Sequence, residues 1–499
     1  MHKICFDNEK YLSLQSQKIK ERISHYGKLY MEFGGKLFDD FHASRVLPGF
    51  MPDSKLKMLL QLKEEAELII VISARDILNN KVRGDLGISY DQDVLRLIDA
   101  FNSVELSVNS VVVTQYNYEQ DVDLFIEHLK KLSIKVYKHY NIKGYPSNVE
   151  FIASEDGFGK NEYVETTKNL VIVTAPGPGS GKMATCLSQL YHENKRGIKA
   201  GYAKFETFPI WNLPLKHPVN LAYEAATADL NDVNMIDPFH LDQYGTLAVN
   251  YNRDVEVFPV LDSLFTKIWG TSPYKSPTDM GVNMIGYCIT DNDEAIKAAE
   301  QEILRRYYAA KCKYVTNSES NENEIYKIEL ILKQANVTPE KRPVISAALA
   351  KAQETGTPAT AIELPDGRII TGKTSSLLGA STAMLLNALK ALAGIPDNQA
   401  LISKTIIEPL QDLKLNHLGN SNPRLHTDEI LVALAICAVT SPTAQLALSQ
   451  LEKLKDCEMH TSVLLANVDY ITLQRLGIRV SSEPRYFTKR LYHPKQYNK

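Results

Sequence analysis

The sequence predicts an α/β protein: Rossmann-like three-layer parallel sheet domains followed by a C-terminal helix-rich α/β region. Three observations carry the prediction. Short apolar, β-branched runs alternate with amphipathic helical patterns through the first third, as parallel strands covered on both faces require. A glycine-rich turn, "PGPGSGK" (Pro176 to Lys182), joins one such run to a helix. Alanine- and leucine-rich helical stretches dominate the last third, with one hairpin among them.

Taken in order, "EKYLSLQSQKIKERISHYG" predicts a helix closed by Gly27, and "AELIIVISA" (Ala66 to Ala74) a buried strand. "DQDVLRLIDAFNS" and "EQDVDLFIEHLKKLS" predict helices, each followed by a strand, "VNSVVVTQY" before the second and "IKVYKHY" after it. "NLVIVTA" is a further buried strand, and a helix follows its glycine turn from about Lys182 to Asn194. From Gly201 to Thr290 periodicity is weak and Asp, Asn, Pro and aromatics accumulate, which predicts long structured loops and short helices. "DNDEAIKAAEQEILRRYYAAKCKYV" predicts a helix capped by Asp291 or Asn292, and the polar "TNSESNENE" a boundary near 316–324. Beyond it come a helix ("PVISAALAKAQETG"), a hairpin turning at Asp366-Gly367, two alanine-rich helical segments and a closing strand–helix–strand. A chain of 499 residues exceeds one ordinary core, and the expected domains are 1–165, 166–320 and 321–499.

Bulk composition narrows the function. A net charge of −3 with acids and bases mixed throughout lacks the electrostatic footprint of a nucleic-acid binder. No run approaches the roughly 18 apolar residues a membrane span needs. The N-terminus has no apolar h-region, and six cysteines show no C-x-x-C pair, so the expected setting is the reducing cytoplasm.

Two stretches compete as phosphate loops. "TAPGPGSGKMAT" breaks the pattern G-x-x-x-x-G-K-[ST] at Pro176 and Met183, yet it has the parts an anion site needs. A buried strand delivers the chain, a bare turn (Gly177, Gly179, Ser180, Gly181) exposes N–H groups, and Lys182 opens a helix. The hydroxyl that would hold magnesium after the lysine is missing, so binding is expected rather than standard triphosphate hydrolysis. A bare structural turn is the competing explanation. "GRIITGKT" (Gly367 to Thr374) satisfies the pattern, but its β-branched residues and Asp-Gly turn indicate a hairpin. Lys373 could still reach an anion, with Thr374 or Ser375 capping the next helix.

Other polar clusters offer chemistry. "NDVNMIDPFHLD" and "NYNRDVE" gather Asp232, Asp237, His240, Asp242, Asn250, Arg253 and Asp254. Asp237 and His240 are candidates for proton transfer or for metal contact through oxygen ligands, and Arg253 for positive charge, whereas loop turns and caps are the commoner use of Asp and Asn clusters and no metal is assigned. Gly34-Gly35, Lys36, Asp39, Asp40, His42 and Arg45 suggest a ligand-lining loop or, as readily, a helix start. Asn422, Arg424, His426, Asp428 and Glu429 precede a helix whose simple cap would be Thr427 or Asp428.

The stretches "KLYMEFGGKLFDDFHASRVLPGF", "TAPGPGSGKMATCLSQLYHE", "AATADLNDVNMIDPFHL", "NYNRDVEVFPVL", "SPTDMGVNMIGYCI", "DGRIITGKTSSLLGAS" and "NPRLHTDEILVALAICA" together resemble one bacterial family. It is the domain of unknown function numbered 1846, also uncharacterised protein family 0371. The resemblance runs over essentially the whole chain and implies a cytoplasmic α/β protein with Rossmann-like layers; it supplies no catalytic residues. The residues themselves point to a small phosphorylated ligand, with ATP or another nucleotide as the cofactor class, and to transfer or ligation chemistry. The alternatives are a non-catalytic metabolite sensor and a structural homo-oligomer built through the alanine-rich helices near 376–393 and 428–452.

Overall fold

The computed structural model describes residues 3–34, 37–38, 40–83, 87–316 and 322–487. The chain forms two compact units. The larger comprises Ile4–Glu224 and Asn231–Ile296, and the other is built chiefly of Lys297–Lys499 with Ala225–Leu230.

The larger unit holds a seven-stranded sheet. Its strands in chain order are β1 (Leu29–Phe33), β2 (Ala66–Ser73), β3 (Val108–Tyr116), β4 (Val136–Tyr140), β5 (Leu170–Thr174), β6 (Gly201–Phe205) and β7 (Gly281–Val282). Every pairing is parallel, and the order across the sheet is β7-β6-β1-β5-β2-β3-β4. All eight residues of β2 are buried, as a central strand with helices on both faces demands. The regions 1–165 and 166–320 therefore share one sheet, because β5 is inserted between β1 and β2.

Helices α1 (Asn8–Tyr26), α2 (Tyr90–Ser103), α3 (Gln120–Lys131), α4 (Lys182–Lys195) and α5 (Asn252–Trp269) flank that sheet. Gly27 closes α1 at φ +79°, where its N–H reaches the Ile23 carbonyl. On one face, Tyr30, Val71, Val112, Val171, Val173 and Tyr202 pack under Cys186, Leu187 and Leu190 of α4 and Phe258, Leu261 and Phe265 of α5. Where long structured loops and short helices are expected between Gly201 and Thr290, α5 is thus an 18-residue helix with Pro259 inside it. A proline in a helix lacks one donor and crowds the preceding turn, and burial of that apolar stripe outweighs the cost.

In the other unit, β8 (Ala359–Glu363), β9 (Ile369–Lys373), β10 (Glu458–Thr461) and β11 (Arg479–Ser482) form a sheet ordered β9-β8-β10-β11. The hairpin β8–β9 turns at Gly367, φ +83°. Its core joins Ile362, Met384, Leu385, Leu389, Leu434 and Met459. The expected segment "DEILVALAICAVTSPTAQLALSQLEKL" is two helices, Thr427–Ala438 and Pro442–Leu448, because Pro442 starts the second rather than kinking the first. No described helix is long and apolar enough to cross a membrane.

Candidate functional site

The sheet order sets where a ligand can sit. From β5 the chain turns to β6, beyond β1, whereas from β2 it turns the other way to β3. Adjacent strands that part in this manner open a crevice outside their carboxyl ends. The glycine loop follows β5 directly into that crevice.

The loop has the geometry of an anion cradle. Gly179 and Gly181 adopt φ +79° and +89°, and Gly181 is the N-cap of α4. Ser180 is buried, and its hydroxyl donates to the Gly177 carbonyl at 2.9 Å. Thr114 of β3 donates to the Ser180 carbonyl at 2.7 Å, tying the loop across β2. Side chains are excluded at two points: a Cβ on Gly177 would lie 2.1 Å from the Tyr90 hydroxyl oxygen, and one on Gly181 3.0 Å from Thr114 Oγ1. The first intrahelical bond runs from Thr185 N–H to Gly181, and no side chain caps the N–H groups ahead of it. They remain free to face an anion together with the positive end of the helix dipole. Lys182 stands at the helix mouth, partly exposed, with no ion-pair partner among the described residues. The Thr185 hydroxyl, one turn in, is buried without a hydrogen-bond partner.

Beside the loop lies a charge cluster that sequence reasoning missed. Glu32 of β1 and Lys204 of β6 are register partners one residue before the ends of their strands. Lys204 pairs with Asp254 in the first turn of α5 and with Glu206 at 3.1 Å, and Tyr202 donates to Glu32 at 2.9 Å. Burial pushes the Glu206 carboxyl up to about 7; Lys204 opposes that, and Asp254 and Glu32 add to it. Burial also works against the Lys204 ammonium, but Asp254, Glu206 and Glu32 outweigh it and raise its pKa. Burial and Glu32 raise the Cys186 thiol on α4 while Lys182 lowers it, so the cluster and the loop lysine act on one group. The arrangement is a buried ammonium held between carboxylates, one of which burial pushes up to about 7. The available signal was the pair of short runs "LYMEF" and "GYAKF", each carrying a charge just before a terminal Phe.

The expected site residues of the middle segment fall into two separate groups. Asp237 is fully buried and accepts from His240 N–H (3.0 Å), Thr278 N–H (3.2 Å) and the Thr278 hydroxyl (2.6 Å). It thereby caps the helix Pro238–Tyr244. His240 Nδ1 lies 3.0 Å from Ser276 Oγ. Arg253 points elsewhere, 62% exposed, with a guanidinium nitrogen 3.3 Å from Asp232. No hydrogen bond or ion pair among the described residues joins Asp237, His240 or Arg253 to the glycine loop. No three described His, Cys, Asp or Glu side chains converge as a metal set. Lys36 and Asp39 lie outside the described residues; Asp40 caps Phe41–Val46 and pairs with Lys55 at 2.8 Å.

Lys373 and Thr374 belong to the other unit. Lys373 ends β9, and Thr374 N–H donates to the Pro358 carbonyl. Gly372 is a packing glycine, since a Cβ there would lie 2.0 Å from the Met384 nitrogen. Neither Thr374 nor Ser375 caps the following helix: it starts at Ala380 with Gly379 as N-cap, because Ser375 Oγ accepts from Leu377 and Leu378 N–H and closes a local turn first. The helix at Thr427, by contrast, starts before either expected cap, Thr427 or Asp428, with His426 as N-cap and its N–H bonded to Glu429 at 2.7 Å. Thr427 instead donates its hydroxyl to Asp469, whose other oxygen meets His426 Nδ1 at 2.9 Å.

Residues 4–336 match the domain of unknown function DUF1846, N-terminal, and residues 340–492 its C-terminal counterpart. A UPF0371 protein of Streptococcus pyogenes serotype M5 (strain Manfredo) is 55% identical over 493 residues, spanning 99% of this chain and 100% of the relative. A UPF0371 protein of Streptococcus sanguinis (strain SK36) is 56% identical over the same 493 residues and the same shares.

Proposed function

Since the chain belongs to the DUF1846 family along both its parts, we propose that it binds a nucleotide or another phosphorylated metabolite at Gly177–Lys182 and carries out a transfer or ligation on it. The observation that supports this best is the uncapped N-terminus of α4 behind two left-handed glycines, set at the point where the sheet's connections part. The loop N–H groups and Lys182 hold the phosphate. The Lys204–Glu206–Asp254 set and Glu32 supply proton transfer, while the buried Asp237 accepts three hydrogen bonds at the start of the 238–244 helix. Asp237 keeps the 238–244 helix in place, while His240 faces Ser276 and Arg253 faces Asp232. The missing hydroxyl after Lys182 argues for chemistry other than magnesium-dependent triphosphate cleavage.

Isothermal titration with ATP, GTP, NAD and sugar phosphates tests this. At least one should bind, and Lys182→Ala should weaken it about tenfold or more, the scale of a lost charge-assisted contact. No Lys182-dependent binding to any of them sinks the proposal.

A second reading, a homo-oligomer, draws on a different observation. Val432, Ile436 and Val439 follow one another at helical spacing and are all exposed. Light scattering coupled to gel filtration should then report more than one copy, and Ile436→Glu should return the mass to that of a monomer. A monomeric parent chain discards it.

A further inference from the structure

The carboxyl ends of β3 and β4 carry three tyrosines in mutual contact. Ring centroids are 5.3 Å apart for Tyr116 and Tyr118, and 5.8 Å for both Tyr116–Tyr140 and Tyr118–Tyr140. Two lysines complete the group: Lys138 lies 4.1 Å from the Tyr116 centroid and Lys160 4.8 Å from that of Tyr140. Tyr116 is buried, its hydroxyl donating to Asp123 at 2.7 Å, and it serves as the floor. Tyr118 leaves 67% of its surface in solvent. A ring so exposed gains little from packing, so core formation does not account for its place.

The backbone beneath is held in an uncommon state. Gln115 and Tyr118 adopt φ +53° and +62°, and the β3–β4 ladder slips between Val113 and Tyr116. Non-glycine residues occupy the left-handed region only where their surroundings hold them there, and such strain gathers at ligand sites. A bulge of this kind re-aims the side chains that follow it.

The same short segment grips the glycine loop. Thr114, which donates to the Ser180 carbonyl, is followed directly by Gln115 and Tyr116. β3 lies two strands from β5, about 10 Å at ~4.8 Å per strand. A lone phosphate cannot bridge that separation, whereas a nucleotide extends its base about that far from its phosphate.

We propose that the tyrosine platform stacks the nucleobase of a ligand whose phosphate lies at Gly177–Lys182, which makes the ligand a nucleotide rather than a sugar phosphate. This rests on the phosphate site proposed above. Every base offers a π-face, so the platform recognises nucleotides as a class and discriminates little between bases. The lysines stacked on Tyr116 and Tyr140 hold those rings in place, and Lys138, on the edge strand β4, also pairs with Asp123 at 2.9 Å.

Titration of the full chain with ribose 5-phosphate, AMP and UMP separates the two sites, because the three share a phosphorylated ribose and only two carry a base. AMP and UMP should both bind about tenfold or more tighter than ribose 5-phosphate, the gain expected of one stacked base. Tyr118→Ala should bring both down to the ribose 5-phosphate affinity without changing ribose 5-phosphate itself, and Tyr118→Phe should restore them. Circular dichroism of the variants should match the parent, since the ring is exposed. Ribose 5-phosphate binding that Lys182→Ala weakens, with no nucleotide advantage or with one that survives Tyr118→Ala, overturns the platform and leaves the phosphate site standing. Absence of any Lys182-dependent binding overturns the phosphate site and this inference with it.

Discussion

At the carboxyl edge of the sheet, burial pushes the Glu206 carboxyl toward neutral pH. Its folded pKa, pushed up to about 7 chiefly by burial, exceeds its ordinary value of 4.5. The folded state therefore binds more protons than the unfolded chain between those values, and this group's contribution falls as pH rises through that window. His139, held down to about 4 by burial, acts in the opposite sense, so the comparison must be with Glu206→Gln. Between pH 5 and pH 7.5 the parent should lose ~1–3 kcal/mol relative to that variant, read from urea midpoints; parallel curves would mean that Glu206 is ionised throughout. The loop glycines give a second test. Gly179→Ala and Gly181→Ala should each cost ~1–2 kcal/mol, because both glycines are left-handed. Only the second adds a Cβ against Thr114; at Gly179 there is open space. Gly181→Ala should therefore also weaken phosphate binding, and Gly179→Ala should spare it.

At the level of elements, the buried start of β10 is an electrostatic anchor. Glu458 is bonded to Arg305 and Arg342, with Arg479 nearby at 3.6 Å. Burial alone would raise its pKa, but the three guanidinium groups hold it at about 2. That contribution is present in full above pH 4.5 and is lost as pH falls from there toward about 2. Glu458→Gln takes the carboxylate from the fully buried Arg342, while Arg305 keeps Glu302 and Arg479 keeps Asp456, and should destabilise by ~3–5 kcal/mol in denaturant titration; a cost under 1 kcal/mol would show that Arg342 is held by its other hydrogen bonds. Elements with long periodic patterns were legible in the sequence: α1, α2, α3, α4 and strands β2 to β5 stand where their patterns put them. β1 and β6 were not. Each has five residues and spends one on a charge, Glu32 or Lys204, that breaks the apolar run. Those charges are tolerable because partners from elsewhere in the chain meet them, Asp254 and Glu206 for Lys204 and Tyr202 for Glu32, a relation absent from either strand alone. The same cause hid the charged cluster of the candidate site, while the glycine loop was visible because its requirements are local. Pro259 hid α5 for a simpler reason, as a residue that ordinarily ends helices.

For the whole molecule, the divisions by compactness and by family do not coincide. The contact-defined units part at Ile296, whereas the N-terminal family match continues to residue 336. The difference is the helical stretch containing Glu322–Ala335, where Lys327 donates to the Ala228 carbonyl at 3.2 Å. A fragment of residues 4–296 should therefore be cut by protease within 225–230, and one of residues 4–336 should resist; equal resistance would show that the segment is held by other contacts. The slip in the ladder between Val113 and Tyr116 has a consequence of another kind. It acts as a frame marker: it decides that Thr114 meets the glycine loop while Tyr116 and Tyr118 turn to the tyrosine group. Substitutions there can be lost one at a time, each affecting one partner. Deleting Gln115 alone would shift the frame of everything after it and disconnect loop and platform in a single step. Over time this site can tolerate drift in its letters far better than any change in their number.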